Sequence, residues 1–251
     1  DTWKSRGLGD VYKRQGSAEP NEVVKFIKKY FDALDYKPLV NRTALVTAGP
    51  TKEMIDPVRF ISNESSGKQG YAIAETLQSL GAKTTLVSGP TSLAKPNVER
   101  VINVDSADQM LEACESSLPA DVAVCAAAVA DYKIANKEIA KIKKDGSRQN
   151  IILEENPDIL ERLSKRNHLR PKLVVGFAAE TSNLERNSDE KLSKKGCDWV
   201  LGNNVSENSI FNQDTNKIYF TSKLYSENWE LMTKKEVAKK LCKKISLHLN
   251  N

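Results

Sequence analysis

From Thr43 onward, short apolar runs alternate with longer stretches whose apolar residues recur every three or four positions. TALVTAG (43–49) is an apolar run ending in glycine, the pattern of a parallel strand buried on both faces. KTTLVSG (83–89), VERVINV (98–104), DVAVCAAAVADY (121–132), KLVVGFAAE (172–180) and DWVLGNN (198–204) read as further strands, the fourth of the six entering a loop of small residues. Between them lie amphipathic segments that predict helices. GYAIAETLQSLGA (70–82) closes with Gly81 as a C-terminal stop. SADQMLEACESSL (106–118) opens with Ser106 as an N-cap. NPDILERLSKR (156–166) carries Pro157 near the first helical position, and NSDEKLSKKG (187–196) ends in glycine.

Repeated strand–helix units predict an α/β fold. The expected form is a Rossmann-like, doubly wound, mostly parallel sheet with helices on both faces. SIFNQDTNKIYFTS (209–222) predicts a C-terminal β-hairpin extension with DTN as its turn. A last helix over 233–249 shows a stripe of Val237, Leu241, Ile245 and Leu249. At the other end, EPNEVVKFIKKYFDALD (19–35) spaces Val23, Val24, Phe26, Ile27, Tyr30, Phe31 and Leu34 as one helix, followed by the linker YKPLVNR. Residues 1–16 show no periodicity and are expected to be a non-native or disordered leader. The expected organisation is therefore a leader over 1–16, a helix and linker over 17–42, and one catalytic-size domain over 43–251.

Composition narrows the class. Hydrophobic residues make up 39% and charged residues 28%, enough for a globular core. No run approaches the roughly 18 apolar residues of a membrane span, and the first residues lack the apolar stretch of a secretory signal. Four widely spaced cysteines form no CxxC, so reduced thiols and a cytoplasmic location are expected. A net charge of +5 suits anionic substrates as well as nucleic acid.

In a doubly wound sheet, ligands sit at the carboxyl ends of the strands. Four loops leave strands there: 49–69, 88–98, 127–150 and 180–186. The first ends in SSGKQG, so Ser65, Ser66, Gly67 and Lys68 would meet a helix N-terminus as an anion site, or simply cap that helix. It is not a Walker A loop: Ser62 stands where glycine is required, and Gln69 follows the lysine. In the third, Ala127 and Ala128 permit close approach of a ligand, and Asp131 follows. Lys133, Lys137, Lys141, Lys143 and Lys144 then either clamp a polyphosphate or form a solvated basic loop. Tyr132 alone makes no stacking platform, which weighs against nucleic acid. Phe177 either stacks on a base or belongs to the core. His168 and His248 have no triad or zinc partner nearby in sequence, and no cysteine shows an activating signature. What remains is catalysis by positioning and positive charge, as in nucleotide transfer assisted by a divalent ion.

TAGPTKEMIDPVRFISNESSGKQGYAIAE, LVSGPT, AAAVADY, KIKK, NPDIL and GFAAET occur in that order. Together they resemble the phosphopantothenoylcysteine synthetase module of bacterial coenzyme A biosynthesis. That module is usually the C-terminal half of a bifunctional protein whose N-terminal half is a flavin-dependent decarboxylase. Residues 17–42 resemble the tail of the decarboxylase half, and the decarboxylase's own flavin site is absent, so no FMN is expected. The resemblance implies that CTP and Mg²⁺ activate 4′-phosphopantothenate as an acyl-cytidylate, which the L-cysteine amine then attacks. It implies that Asn63, with Ser65, Ser66, Gly67, Lys68, Ala127 and Ala128, binds the phosphopantothenate portion. An Asn amide both donates and accepts, which an Asp carboxylate cannot copy. Asp131, Phe177, Lys191 and Lys195 fall at nucleotide-binding positions, and Lys141 at the lysine that forms the cytidylate. The metal ligands stay unassigned. A homodimer is implied, with residues 205–225 at its interface and no nucleic acid or membrane partner. Two departures stand out: Glu155 precedes NPDIL where lysine is common, and Asn204 replaces a usual aspartate. The alternatives are an ATP-using ligase of the same fold, a non-enzymatic nucleotide- or nucleic-acid-binding α/β protein, and a flavodoxin-like redox protein.

Overall fold

A computed structural model describes residues 23–24, 36–143, 150–205 and 214–250. The chain divides into residues 1–37 and residues 38–251. In the first unit Val23 and Val24 are helical and exposed. The rest of the helix expected over 19–35, and the leader 1–16, lie outside the described residues.

The second unit begins with Leu39, fully buried, and strand β1 (Thr43–Ala48). A short hairpin follows, β2 (Lys52–Met54) and β3 (Phe60–Ser62), then helix α1 (Lys68–Ser79). Next come β4 (Lys83–Ser88), β5 (Arg100–Asn103) and α2 (Ala107–Ser116). Ser106 caps α2 with a full capping box closed by Gln109. β6 (Val122–Cys125) leads to a second short pair, β7 (Tyr132–Ile134) and β8 (Leu153–Glu155). After α3 (Ile159–Ser164) come β9 (Leu173–Glu180), α4 (Leu184–Lys195) and β10 (Trp199–Asn204). The described C-terminal part holds β11 (Thr215–Asn216), β12 (Ile218–Ser222), β13 (Ser226–Asn228), β14 (Met232–Thr233) and α5 (Lys234–Asn250).

One eight-stranded sheet runs β13-β12-β10-β9-β6-β1-β4-β5. The six strands from β10 to β5 are parallel, while β12 and β13 are antiparallel. Alternate residues of β1 enter different cores: Ala44, Val46 and Ala48 meet α1 and α5, whereas Leu45 meets α2 and α3. α4 packs on the same side as α3, through Leu192 against Val174 and Val200. The strands are apolar throughout because both faces are covered. The chain winds from β1 out to β4 and β5, then returns to the other side of β1 as β6, β9 and β10. The reversal lies between β1 and β6.

Three local expectations change. DTN is not a hairpin turn: Thr215 and Asn216 form β11, which pairs with β14, and the buried Asn216 amide donates to Gln69 Oε1 at 3.3 Å. The hairpin is β12–β13, where Ser222 Oγ accepts the Leu224 and Tyr225 N–H groups. Residues 209–213 of the expected hairpin lie outside the described residues. Pro157 precedes the helix cap rather than following it, because Asp158 is the N-cap of α3 and accepts the Glu161 N–H at 2.8 Å. Loop 49–69 is not wholly irregular, since it contains the β2–β3 pair, and loop 127–150 contains β7, whose partner β8 lies just beyond it.

Candidate active site at the switch point

The loops after β1 and β6 interlock where the winding reverses. Ala126 N–H donates to the Thr47 carbonyl at 3.2 Å, and Ala127 N–H to Thr47 Oγ1 at 3.2 Å. Ala128 N–H reaches the Gly49 carbonyl at 2.9 Å, and Thr51 N–H returns to the Ala128 carbonyl at 3.3 Å. Ala130 N–H then donates to the buried Thr51 Oγ1 at 3.0 Å. A third backbone closes in from β4. A Cβ at Gly89 would lie 1.7 Å from the Pro50 carbonyl oxygen, so only glycine fits there. Gly67, at φ 74°, begins α1 with its Cα side against Gly49.

The side chains implied by the motifs fall into three groups. Asn63 is exposed and donates from Nδ2 to the Val129 carbonyl at 3.0 Å, strapping the hairpin loop to the alanine loop. Ser65 and Ser66 are half-buried beside it in sequence, and Ser65 Oγ accepts the Gly67 N–H at 3.3 Å. Asp131 is exposed at the end of the alanine loop. Its carbonyl accepts the Asn156 N–H at 2.8 Å, and Asn156 Nδ2 holds the Ala130 carbonyl at 2.8 Å. So Asn63, Ala127, Ala128 and Asp131 share one hydrogen-bonded unit.

The second group lies one strand over. The β6–β9 register sets Cys125 beside Gly176, which brings Phe177 to the same end of the sheet. Lys191 and Lys195 stand one turn apart on α4. Lys191 Nζ donates to the Phe177 carbonyl at 2.7 Å, and Lys195 Nζ pairs with Asp158 at 2.6 Å. Burial would push the Asp158 carboxyl up, but the Lys195 and Glu161 hydrogen bonds outweigh it and hold the group below its usual range. The Asp158 hydrogen bond in turn raises Lys195.

The third group consists of Lys68 and Lys141. Lys68 sits in the first turn of α1 with its ammonium on Asp214 at 2.7 Å. Lys141 is exposed, and its neighbour Ile142 is bound to the turn of the β2–β3 hairpin. Sequence reasoning missed Asn156 and Asp158 as site residues. NPDIL signalled a motif, but not that its Asn would hold the alanine loop or its Asp both cap a helix and hold Lys195.

Cysteine chemistry does not enter. Burial pushes the Cys114 thiol up to about 12 and Cys197 up to about 11, so neither supplies a thiolate near neutrality. Among the described residues no group of three or more His, Cys, Asp or Glu side chains is placed to hold a metal. No helix among them is long and apolar enough to cross a membrane.

A doubly wound sheet whose two switch-point loops are laced together defines a Rossmann-like α/β domain with a candidate site at its switch point. The DNA/pantothenate metabolism flavoprotein C-terminal domain family matches residues 39–248, and the chain belongs to it. The coenzyme A biosynthesis bifunctional protein CoaBC of Haemophilus influenzae is 40% identical over 241 residues, covering 96% of this chain and 59% of that protein. The Bacillus subtilis protein of the same name is 37% identical over 232 residues, covering 91% of this chain and 57% of its own length. The chain thus spans little more than half of these curated relatives. The crystal structure of the C-terminal domain of CoaBC superposes with a TM-score of 0.71 at 38% identity, covering 85% of this chain and 98% of that one.

Proposed function

We propose that this chain is a phosphopantothenate–cysteine ligase domain of coenzyme A biosynthesis. The observation that carries the reading is the lacing of the two loops, which brings Asn63 and Asp131 into one unit at the switch point. The relatives named CoaBC support a place in coenzyme A biosynthesis, and the motif resemblance implies the steps. In the first step, a carboxylate oxygen of 4′-phosphopantothenate attacks the α-phosphorus of CTP, and pyrophosphate leaves. In the second, the cysteine nitrogen attacks the acyl carbon, loses a proton, and CMP leaves.

Each group on the page has a part in that sequence. The exposed Lys141 meets the charge that grows on the phosphates. Lys191, Lys195 and Phe177 bound the nucleotide. Asn63 uses one N–H on Val129 and offers the rest of its amide to the acyl group. Ser65, Ser66, Gly67 and the N-terminus of α1 face the same substrate, with Ala127 and Ala128 leaving room for it. Mg²⁺ shares its coordination with substrate phosphates and needs only one or two protein carboxylates. Asp131, exposed beside the alanine loop, fits that demand, while Asp158 is committed to Lys195. FMN has no part in this reaction.

The domain works as a homodimer in the cytoplasm, joined in the native protein to a decarboxylase domain. Exposed apolar side chains in and between the strands of the two short pairs, Val58, Phe60, Ile139 and Ile152 among them, favour those pairs as the dimer face over the described part of residues 205–225.

The test mixes purified protein with CTP, Mg²⁺ and 4′-phosphopantothenate, without cysteine. Pyrophosphate and acyl-cytidylate should appear, and CMP should follow only when cysteine is added. Turnover with ATP in place of CTP would revise the base preference. No pyrophosphate with any triphosphate would overturn the ligase reading.

A further inference from the structure

Asp56 is an acidic residue that is only 1% exposed, in the turn between β2 and β3. A buried carboxylate is costly unless its lone pairs are matched, and here five donors match them. Oδ1 accepts the Val58 and Arg59 N–H groups, each at 2.8 Å. Oδ2 accepts Arg59 Nε at 2.9 Å, Arg59 Nη2, and the Ile142 N–H at 3.2 Å. The first two bonds are all that a local Asx turn requires. The last one spans 86 residues.

Arg59 completes the hold. Its Nη2 donates to the Ile142 carbonyl at 3.0 Å. Both peptide groups of Ile142 are therefore bound by the Asp56–Arg59 pair. A further bond, from Glu138 N–H to the Ile55 carbonyl at 3.0 Å, lays the preceding residues along the same turn. Ile142 is the second residue of KIKK, so Lys141 and Lys143 flank the fixed point, and both are exposed. The hairpin that makes the turn runs on from β3 directly into Asn63.

We propose that Asp56 is a positioning residue: with Arg59 it fixes the lysine segment 141–143 to the hairpin that carries Asn63. One rigid piece then sets the cation of the nucleotide-transfer step and the amide of the cysteine step relative to each other. The catalytic part of this inference rests on the ligase reading above, while the clasp itself does not.

Asp56→Asn keeps the size of the side chain but replaces an acceptor of three donors by an amide. In the ligand-free protein, trypsin should cut after Lys141 and Lys143 roughly tenfold faster than in wild type, because cleavage follows the open population. Pyrophosphate release should slow by about tenfold or more, with KM for CTP nearly unchanged, since misplacing a catalytic group by 1 Å costs up to about a hundredfold. In a Lys141→Gln background the same change should add no further loss. A merely structural role would give additive losses, and that result overturns the proposal, as does an unchanged cleavage rate. If Asp56→Asn does not fold, Arg59→Lys keeps a cation on Asp56 but cannot fork to Ile142, and the same release is expected. If wild type shows no turnover, the ligase reading fails, yet the trypsin comparison still decides the clasp.

Discussion

The Asn63 amide joins two loops that are distant in sequence, and this dictates what its replacement does. Its N–H holds the Val129 carbonyl at 3.0 Å. An Asp there would set a carboxylate oxygen against that carbonyl and lose the strap. Asn63→Asp should leave pyrophosphate release within about threefold of wild type and slow amide formation by at least about tenfold, one hydrogen bond to a reacting group being worth that much. Quenched samples would then accumulate acyl-cytidylate. Equal loss of both half-reactions would assign Asn63 to binding alone. Lys141→Gln should do the reverse, slowing pyrophosphate release by roughly a hundredfold while preformed acyl-cytidylate still reacts with cysteine. A normal burst of pyrophosphate would remove Lys141 from the mechanism. The residue types at both positions were legible from motif and loop chemistry. Their partners were not. Val129 lies 66 residues from Asn63, and Asp214 lies 146 from Lys68, and no local period encodes such pairings. The ion pair that holds Lys68, read as part of the anion loop, is one of them.

Most elements of the main sheet were readable because they are long enough to show a period or a continuous apolar run, whereas β13, three polar residues, was not. The three-residue strands β2, β3, β7 and β8 show neither. They form because the segments after β1 and β6 need partners for their backbone groups, and β2 pairs with β3 and β7 with β8. DTN misled because turn-forming residues can also start a strand when a buried side chain such as Asn216 finds an acceptor. Helix α3 shows how much a single cap can carry. With six residues it cannot sustain itself. Asp158→Ala should destabilise the protein by about 1 kcal/mol through the lost cap. Thermal melts of the two proteins would measure it. Because the folded Asp158 carboxyl lies below its ordinary value of 3.8, its stabilisation is complete above that pH and fades as pH falls further. The gap between wild type and variant should therefore close in acid. A gap that persists unchanged well below pH 3.8 would mean that the ionised carboxylate is not what holds α3.

At the scale of the whole molecule, the winding order of the sheet puts the two interlocked loops at one end of it, and the same stretches of chain carry the two short strand pairs. There the surface is unusually apolar: Val58, Phe60, Tyr132, Ile139, Ile151, Ile152 and Leu153 are all exposed, Ile139 by 96%. β12–β13 also exposes apolar residues, but only Leu224 and Tyr225, and Lys244 stacks on Tyr225. A cluster of this kind is usually covered by a partner, and a second copy is the partner that the ligase reading calls for. Burying one such side chain contributes roughly 2 kcal/mol and each is present in both copies, so replacing Phe60 and Ile152 together by Asp should weaken the dimer by well over roughly a thousandfold. Light scattering at micromolar protein should then give half the wild-type mass. Leu224→Asp should leave the mass unchanged. The opposite pattern would return the interface to residues 205–225. A wild-type monomer would show that each copy completes its site alone, and turnover per chain would then be independent of concentration.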